Sequence, residues 1–263
     1  AGQVRATQGI VGGIVGETNG NVVHAVNRSQ TVTADSGTAG GITAVVQEGK
    51  GISDCKSYGT VRSSAGYAGG IAATNAGTIQ DCKVEGTGTN SAWIYSLGKD
   101  EIGAITAVNE ATGTIQNSSP GANVKLQSDG TKFGGITGKN LGIVHQATLT
   151  NMPAIESTQT SLAVGGAAGE NLGAVTEIHS RELNFENFSG YRYLGGIVGI
   201  NGSKTNGATI SSANVQNSTY SGSMTEKTST SKAGNCYGGI AGLNYATLSG
   251  NNVAQITMTI DGV

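Results

Sequence analysis

At 263 residues, with a formal net charge of −2 and 12% charged side chains, the chain lacks the basic surface that nucleic acid or anionic lipid demands. Its 44 glycines, over twice the usual ~7% share, argue against helical bundles, and its 2 prolines exclude collagen and Pro-rich linkers. Three cysteines are too few for a disulfide framework, and no apolar run approaches the ~18 residues of a membrane span.

In chain order, the opening "AGQVRATQGI" lacks the basic-then-apolar pattern of a signal peptide. The first unit, "GGIVGETNGNVVHA" from Gly12, is then rewritten along the chain, with glycine pairs beginning at Gly12, Gly40, Gly69, Gly103, Gly134, Gly165, Gly195 and Gly238. Ala104 makes the fourth pair degenerate. Successive spacings are 28, 29, 34, 31, 31, 30 and 43 residues. A period of this length marks a solenoid or an array. The long last spacing implies an insertion, placed at residues 221–235 by the polar run "SGSMTEKTSTSKAGN".

Each unit carries further columns. Asn occupies the sixth place after the first glycine in six copies, Asn75, Asn109, Asn140, Asn171, Asn201 and Asn244, with Thr18 and Val46 as exceptions. An apolar residue follows a small turn: Val22, Ile52, Ile79, Ile115, Val144, Val175, Ile210 and Leu248. Three places later come Ala25, Cys55, Cys82, Ser118, Ala147, Ile178, Ala213 and Asn251. Such short β-prone runs between Gly and Asn turns predict two or three strands per unit. One unit cannot bury its apolar side alone, whereas stacked units can. The expected fold is all-β: a single parallel β-solenoid over residues 1–263, about eight rungs of ~28–34 residues at ~4.8 Å rise. In such a stack the Asn column forms an amide ladder. Glycine recurs where φ is positive or where backbones approach closely.

"GGIAATNAGTIQDCKVEGT" (Gly69 to Thr87) and "GGIVGINGSKTNGATI" (Gly195 to Ile210) resemble the GLUG motif of bacterial surface and secreted proteins. All eight copies fit to some degree, with Ala44 and Ala73 standing where the motif closes on glycine. The resemblance implies a non-catalytic solenoid segment, of the kind found in adhesin-like proteins and beside the catalytic domain of immunoglobulin A-specific metallopeptidases. It implies an extracellular or cell-surface location in a bacterium, and neighbouring domains of the same chain as partners. Both ends look cut from a larger exported protein, and exposed rung edges would favour end-to-end association.

Candidate chemistry is sparse. His24, His145 and His179 are the only histidines, none in His-Glu-x-x-His, and no metal or cofactor is expected. Cys55 and Cys82 share a column on adjacent rungs, so their Cα atoms lie ~5 Å apart, within disulfide range. Parallel side chains favour stacked buried thiols instead, and Cys236 has no evident partner. The repeated tripeptides Asp54-Cys55-Lys56 and Asp81-Cys82-Lys83 bring two outward carboxylates to ~5 Å, the separation of a retaining glycosidase. The lysines beside them make an ordinary charge ladder the simpler reading. Gly138-Lys139-Asn140 ends like a phosphate-binding loop but lacks its Ser/Thr and its first glycine.

Binding surfaces remain. Trp93 and Tyr95, and the run Tyr191, Arg192 and Tyr193, fall between repeat cores, where aromatic rings stack on sugars, anchor a protein, or cap the core at a loop. The sequence thus points first to a structural or adhesive segment, a rigid spacer or display surface for a host glycoprotein or glycan. The metallopeptidase-associated solenoid and a β-helix polysaccharide hydrolase or lyase are the alternatives.

Overall fold

The computed structural model describes residues 2–29, 31–159, 162–188, 191–205, 208–210, 212–226 and 234–260. These residues form an all-β solenoid of eight rungs with no helix among them. Rung 5 shows the plan, with strands Val124–Ser128, Lys132–Gly134, Thr137–Asn140, Ile143–His145 and Thr148–Leu149. The first four pair in parallel with their counterparts on the rungs before and after, and Thr148–Leu149 with its counterpart on the rung after; the five families are here called the platform, glycine, asparagine, apolar and closing strands. In rungs 1 and 2 the platform and glycine strands are continuous, as Gln3–Gly12 and Thr31–Gly40. From rung 3 onward a bend divides them.

The columns stack in register. Gly12, Gly40, Gly69, Gly103, Gly134, Gly165, Gly195 and Gly238 are successive partners. The asparagine column continues Thr18–Val46–Asn75–Asn109–Asn140–Asn171–Asn201–Asn244. Inside the tube lies a single buried stack rich in Ile, Val and Ala, including Ile42, Ile71, Ile105, Ile136 and Ile197 from the place after the glycines. Large apolar side chains left exposed sit on the first and last rungs, Ile143 apart: Ile10, Ile14, Val23 and Val26, then Leu248, Val253, Ile256 and Met258.

The glycines answer to sterics more than to φ. A Cβ at any first glycine of a pair would meet the carbonyl three residues on, such as Thr137 O from Gly134. A Cβ at a second glycine would also meet a carbonyl, that of the second place on the next rung, such as Gly166 O from Gly135, yet Ala104 is accommodated there, fully buried. The closing glycine has a different neighbour. A Cβ at Gly169, Gly199 or Gly242 would lie 2.6 Å from the backbone nitrogen of Phe133, Val164 or Leu194, in the glycine strand of the rung before. There the asparagine and glycine strands pack backbone against backbone, much closer than the ~10 Å of sheets spaced by side chains. In rungs 2, 3 and 4 Ala44, Ala73 and Ala107 stand at this place, fully buried, so the tube admits a methyl group there.

Positive φ is concentrated at another corner, just before the closing strand. His24, Asp54, Asp81, Asn117, Gln146, Glu177 and Asn217 take it on rungs 1 to 7, with φ from 45° to 56°, and Gly250 takes it on rung 8 at 63°. Asn and Asp tolerate this region; for the longer side chains it is a strained conformation.

Rung 7 departs from the sequence alignment. Val215, not Ile210, continues the apolar column between Val175 and Leu248, and Ser218, not Ala213, follows Ile178, its hydroxyl accepting from the Ile178 N–H at 3.1 Å. The extra residues leave between Asn201 and Asn214 as an antiparallel hairpin, Ser203–Thr205 with Ala208–Ile210. Of the insertion expected at 221–235, the first part belongs to strand Thr219–Glu226, which pairs with Asn252–Ile260. Residues 227–233 lie outside the described residues.

Three substitutions test this account. Asn140→Leu removes the ladder acceptor of Asn109 and the ladder donor to Asn171, and should lower stability in a urea titration by about 2–4 kcal/mol. Asn244→Ala, at the exposed end of the ladder, should lower it by under about 1 kcal/mol. Gly169→Ala forces a methyl into the backbone contact and should be destabilising by about 1–3 kcal/mol.

Candidate functional site

The outward side of the platform strands carries the aromatic pair. In strand Ala92–Ser96 the residues alternate, Ala92, Ile94 and Ser96 buried and Trp93 and Tyr95 facing out. Sequence reasoning put the pair in a segment between repeat cores; it stands within a strand, and so does not cap a loop. The two rings stack, centroids 5.3 Å apart and planes within 10°. Lys125, paired with Trp93 on the next strand, holds its ammonium 4.5 Å from the Trp93 centroid. Arg62, paired with Tyr95 on the strand before, holds its guanidinium 5.9 Å from the Tyr95 ring. The result is one line of cation, two rings and cation, favourable by ring-quadrupole electrostatics. Burial, then the Glu156 carboxylate, pushes the Tyr95 phenol above its ordinary value.

Beside the start of these strands a cleft of about 330 Å³ opens at the corner between the closing and platform strands, lined by Arg28, Ser29, Tyr58, Thr60, Asn90 and Ser91 among others. Arg28 stacks over the Tyr58 ring at 5.3 Å. The Tyr58 hydroxyl donates to Glu85 at 3.2 Å, and Glu85 is held by Lys83 at 3.1 Å. Thr60 precedes Val61, the partner of Ile94, so the cleft adjoins Trp93. A second cleft, of about 260 Å³, lies at the other end of the platform between Leu97, Gln127, Asp129 and Glu156. The platform therefore runs from a basic cleft to an acidic one.

The second aromatic run is elsewhere. Arg192 and Tyr193 lie on the rung 7 glycine strand, Tyr193 in a column with Lys132, Ala163 and Cys236 and Arg192 at the register shift beside it. Arg192 Nε donates to the Tyr193 hydroxyl at 3.1 Å. The side chain of Tyr191 lies outside the described residues. The two aromatic groups are thus on different strand families, three rungs apart, and form no common surface.

The thiols and carboxylates of the repeated tripeptide separate as alternation requires. Cys55 and Cys82 are buried free thiols. A hydrogen bond with Cys82 favours ionisation of Cys55, aided by the Ala25 N–H, which donates to Cys55 Sγ at 3.3 Å. The same Cys55 bond, then burial, opposes ionisation of Cys82. Asp54 and Asp81 occupy the positive-φ corner. Asp54 is half exposed, 3.5 Å from His24 Nδ1. Asp81 accepts from Gln80 Nε2 at 2.9 Å and from Asn117 Nδ2 at 2.6 Å. Their oxygens are engaged along an open ladder, by His24 at Asp54 and by Gln80 and Asn117 at Asp81. Among the described residues no three His, Cys, Asp or Glu side chains are grouped to hold a metal ion. No helix among them is long and apolar enough to cross a membrane.

Sequence reasoning missed one half-buried ionic hub. Lys132 Nζ lies 3.1 Å from Glu170, 3.2 Å from Asp100 and 3.6 Å from Glu101, so that an asparagine strand is tied to the glycine strand of the rung before. Burial opposes the Lys132 ammonium, but Glu170 and then Asp100 and Glu101 outweigh it and hold its pKa above the ordinary value. Burial likewise opposes the Asp100 carboxylate; Thr131 and Lys132 outweigh it and hold its pKa low. The signal lay in the alignment, since Glu101 and Lys132 each stand two places before a first glycine.

Comparison with known proteins finds no match: no family model, no curated protein and no solved structure matches the chain.

The hub sets a pH dependence. A depressed Asp100 contributes stability above the ordinary Asp range, lost as pH falls through its folded pKa; a raised Lys132 contributes below the ordinary Lys value, lost as pH rises through its folded pKa. The stability difference between wild type and Lys132→Met should therefore be largest near neutrality, and shrink below about pH 4 and above about pH 10.5 in urea titrations.

Proposed function

We propose that this chain is a non-catalytic display segment of a bacterial surface or secreted protein, a stiff solenoid that presents the platform to a glycan or glycoprotein. The observation that carries the reading is Trp93 and Tyr95 projecting from a flat sheet face between Arg62 and Lys125, beside a cleft lined with hydroxyl and amide groups. The ring faces are taken up by one another and by the two cations, so the apolar edges of the pair meet the ligand; an apolar edge next to directional polar groups suits a sugar, since a pyranose offers C–H faces and a rim of hydroxyls. The in-register core supports the spacer role, because each rung is locked to two neighbours along the rod. Asp54 and Asp81, engaged with His24 and Asn117 along an open corner, argue against a hydrolase built on that pair.

The test is binding of the chain to an array of glycans and host glycoproteins that includes immunoglobulin A. We expect glycan binding that weakens about tenfold or more in Trp93→Ala and is unchanged in Arg192→Ala. Binding confined to immunoglobulin would favour the metallopeptidase-associated solenoid. Silence across the array would leave the spacer role without recognition.

A further inference from the structure

Arg28 is the feature that the display reading leaves unused. Its guanidinium lines the corner cleft and stacks on Tyr58, and among the described residues it has no carboxylate partner. Glu85, the acid tied to that tyrosine, is already engaged by Lys83 and by the Tyr58 hydroxyl. The Tyr58 ring lies 5.3 Å from the guanidinium carbon and accepts none of its N–H groups in a hydrogen bond, so the guanidinium remains able to donate in a planar fork. A fork of that geometry is matched by a carboxylate, which accepts two parallel hydrogen bonds. Around it stand the hydroxyls of Ser29, Thr60 and Ser91 and the amide of Asn90, groups that both donate and accept, as sugar hydroxyls do.

The cleft, at about 330 Å³, is at the low end of the ~300–1,000 Å³ range of ligand pockets, and so suits one terminal residue rather than a chain. Thr60 leads from it onto Trp93, where a second residue would meet the aromatic edge. Charge along the platform fixes the polarity, because the far cleft carries Asp129 and Glu156 and repels an acid.

We propose that the corner cleft binds a terminal acidic sugar, a sialic or uronic acid, with its carboxylate on Arg28 and its hydroxyls on Ser29, Thr60, Asn90 and Ser91. This rests on the display reading and narrows its ligand to a class. Lys125 and Arg62 then add a favourable field without contacting the acid.

Calorimetric titration of the whole chain with sialyllactose, a glucuronic acid-terminated lactose, carboxyl-reduced sialyllactose, lactose, a sulfated lactose and a hexaglutamate peptide tests it. Sialyllactose should bind, and both the reduced sugar and lactose should bind roughly 10- to 100-fold more weakly, the loss of a charge-assisted pair. Arg28→Ala should erase that discrimination, and Arg28→Lys, which keeps the charge but not the fork, should restore only part of it. Arg28 is exposed, so unchanged thermal unfolding of both variants serves as the folding control. Equal affinity for lactose, or no effect of Arg28→Ala, overturns the proposal. If binding is still lost in Trp93→Ala, the display reading survives that failure. Preference for the sulfated sugar, or for a hexaglutamate peptide, overturns the carboxylate-sugar assignment. No binding by any of these probes overturns it as well, and the array in the preceding subsection then decides the broader reading.

Discussion

Everything in this molecule depends on neighbouring rungs staying in register, and the asparagine ladder is the interaction most sensitive to it. From Asn75 to Asn244 each Nδ2 donates to the next Oδ1 at 2.8 Å, five bonds in one direction. Each donor amide also reaches a backbone carbonyl of the following rung, such as Ala174 O from Asn140 at 3.0 Å. The side chain thus satisfies the turn that follows it while measuring the distance to its neighbour. A slip of one residue would strand a buried amide on every rung at once, with an unpaired polar group costing about 1–3 kcal/mol each time. Val46 ends the column, and packs its methyl against the position of Gly77 instead.

Glycine and the positive-φ residues divide the work of bending the tube. The glycine pair and closing glycine permit close approach, where a Cβ would strike a carbonyl or a backbone nitrogen. The left-handed corner is made by ordinary side chains, His24 through Asn217. Those side chains face solvent and join their neighbours, as when Gln146 donates to Glu177 at 3.2 Å. The tube is thereby stapled on the outside by a polar ladder and on the inside by amides and aliphatics. Its surface chemistry is free to vary on the outward side of the platform, where Thr33, Arg62, Tyr95, Gln127 and Glu156 succeed one another in one column.

How far this was legible follows from the same division. Columns that recur could be read directly: the eight first glycines and the six asparagines stand in the structure as the alignment placed them. Rung 7 misled because the hairpin contains its own apolar residue, Ile210, at the spacing where Val215 was due. Trp93 and Tyr95 were noticed but assigned to a segment between repeat cores, since their strand has no repeated outward residue to announce it. The Lys132 hub and the pairing of Arg28 with Tyr58 were invisible for another reason. They join residues across strands or rungs, and their meaning appears only when the corner between strand families is known.

The hairpin of rung 7 has a consequence for what can be built on this scaffold. The chain takes ten more residues from Asn201 to Asn214 than from Asn171 to Ala174 on the rung before, and the ladder stays intact, Asn171 donating to Asn201 before the excursion and Asn201 to Asn244 after it. The corner between the asparagine and apolar strands is therefore a socket. Because all rungs are near copies, the same socket recurs at about 4.8 Å intervals along the rod, a row of ports where foreign loops can be planted side by side in fixed order.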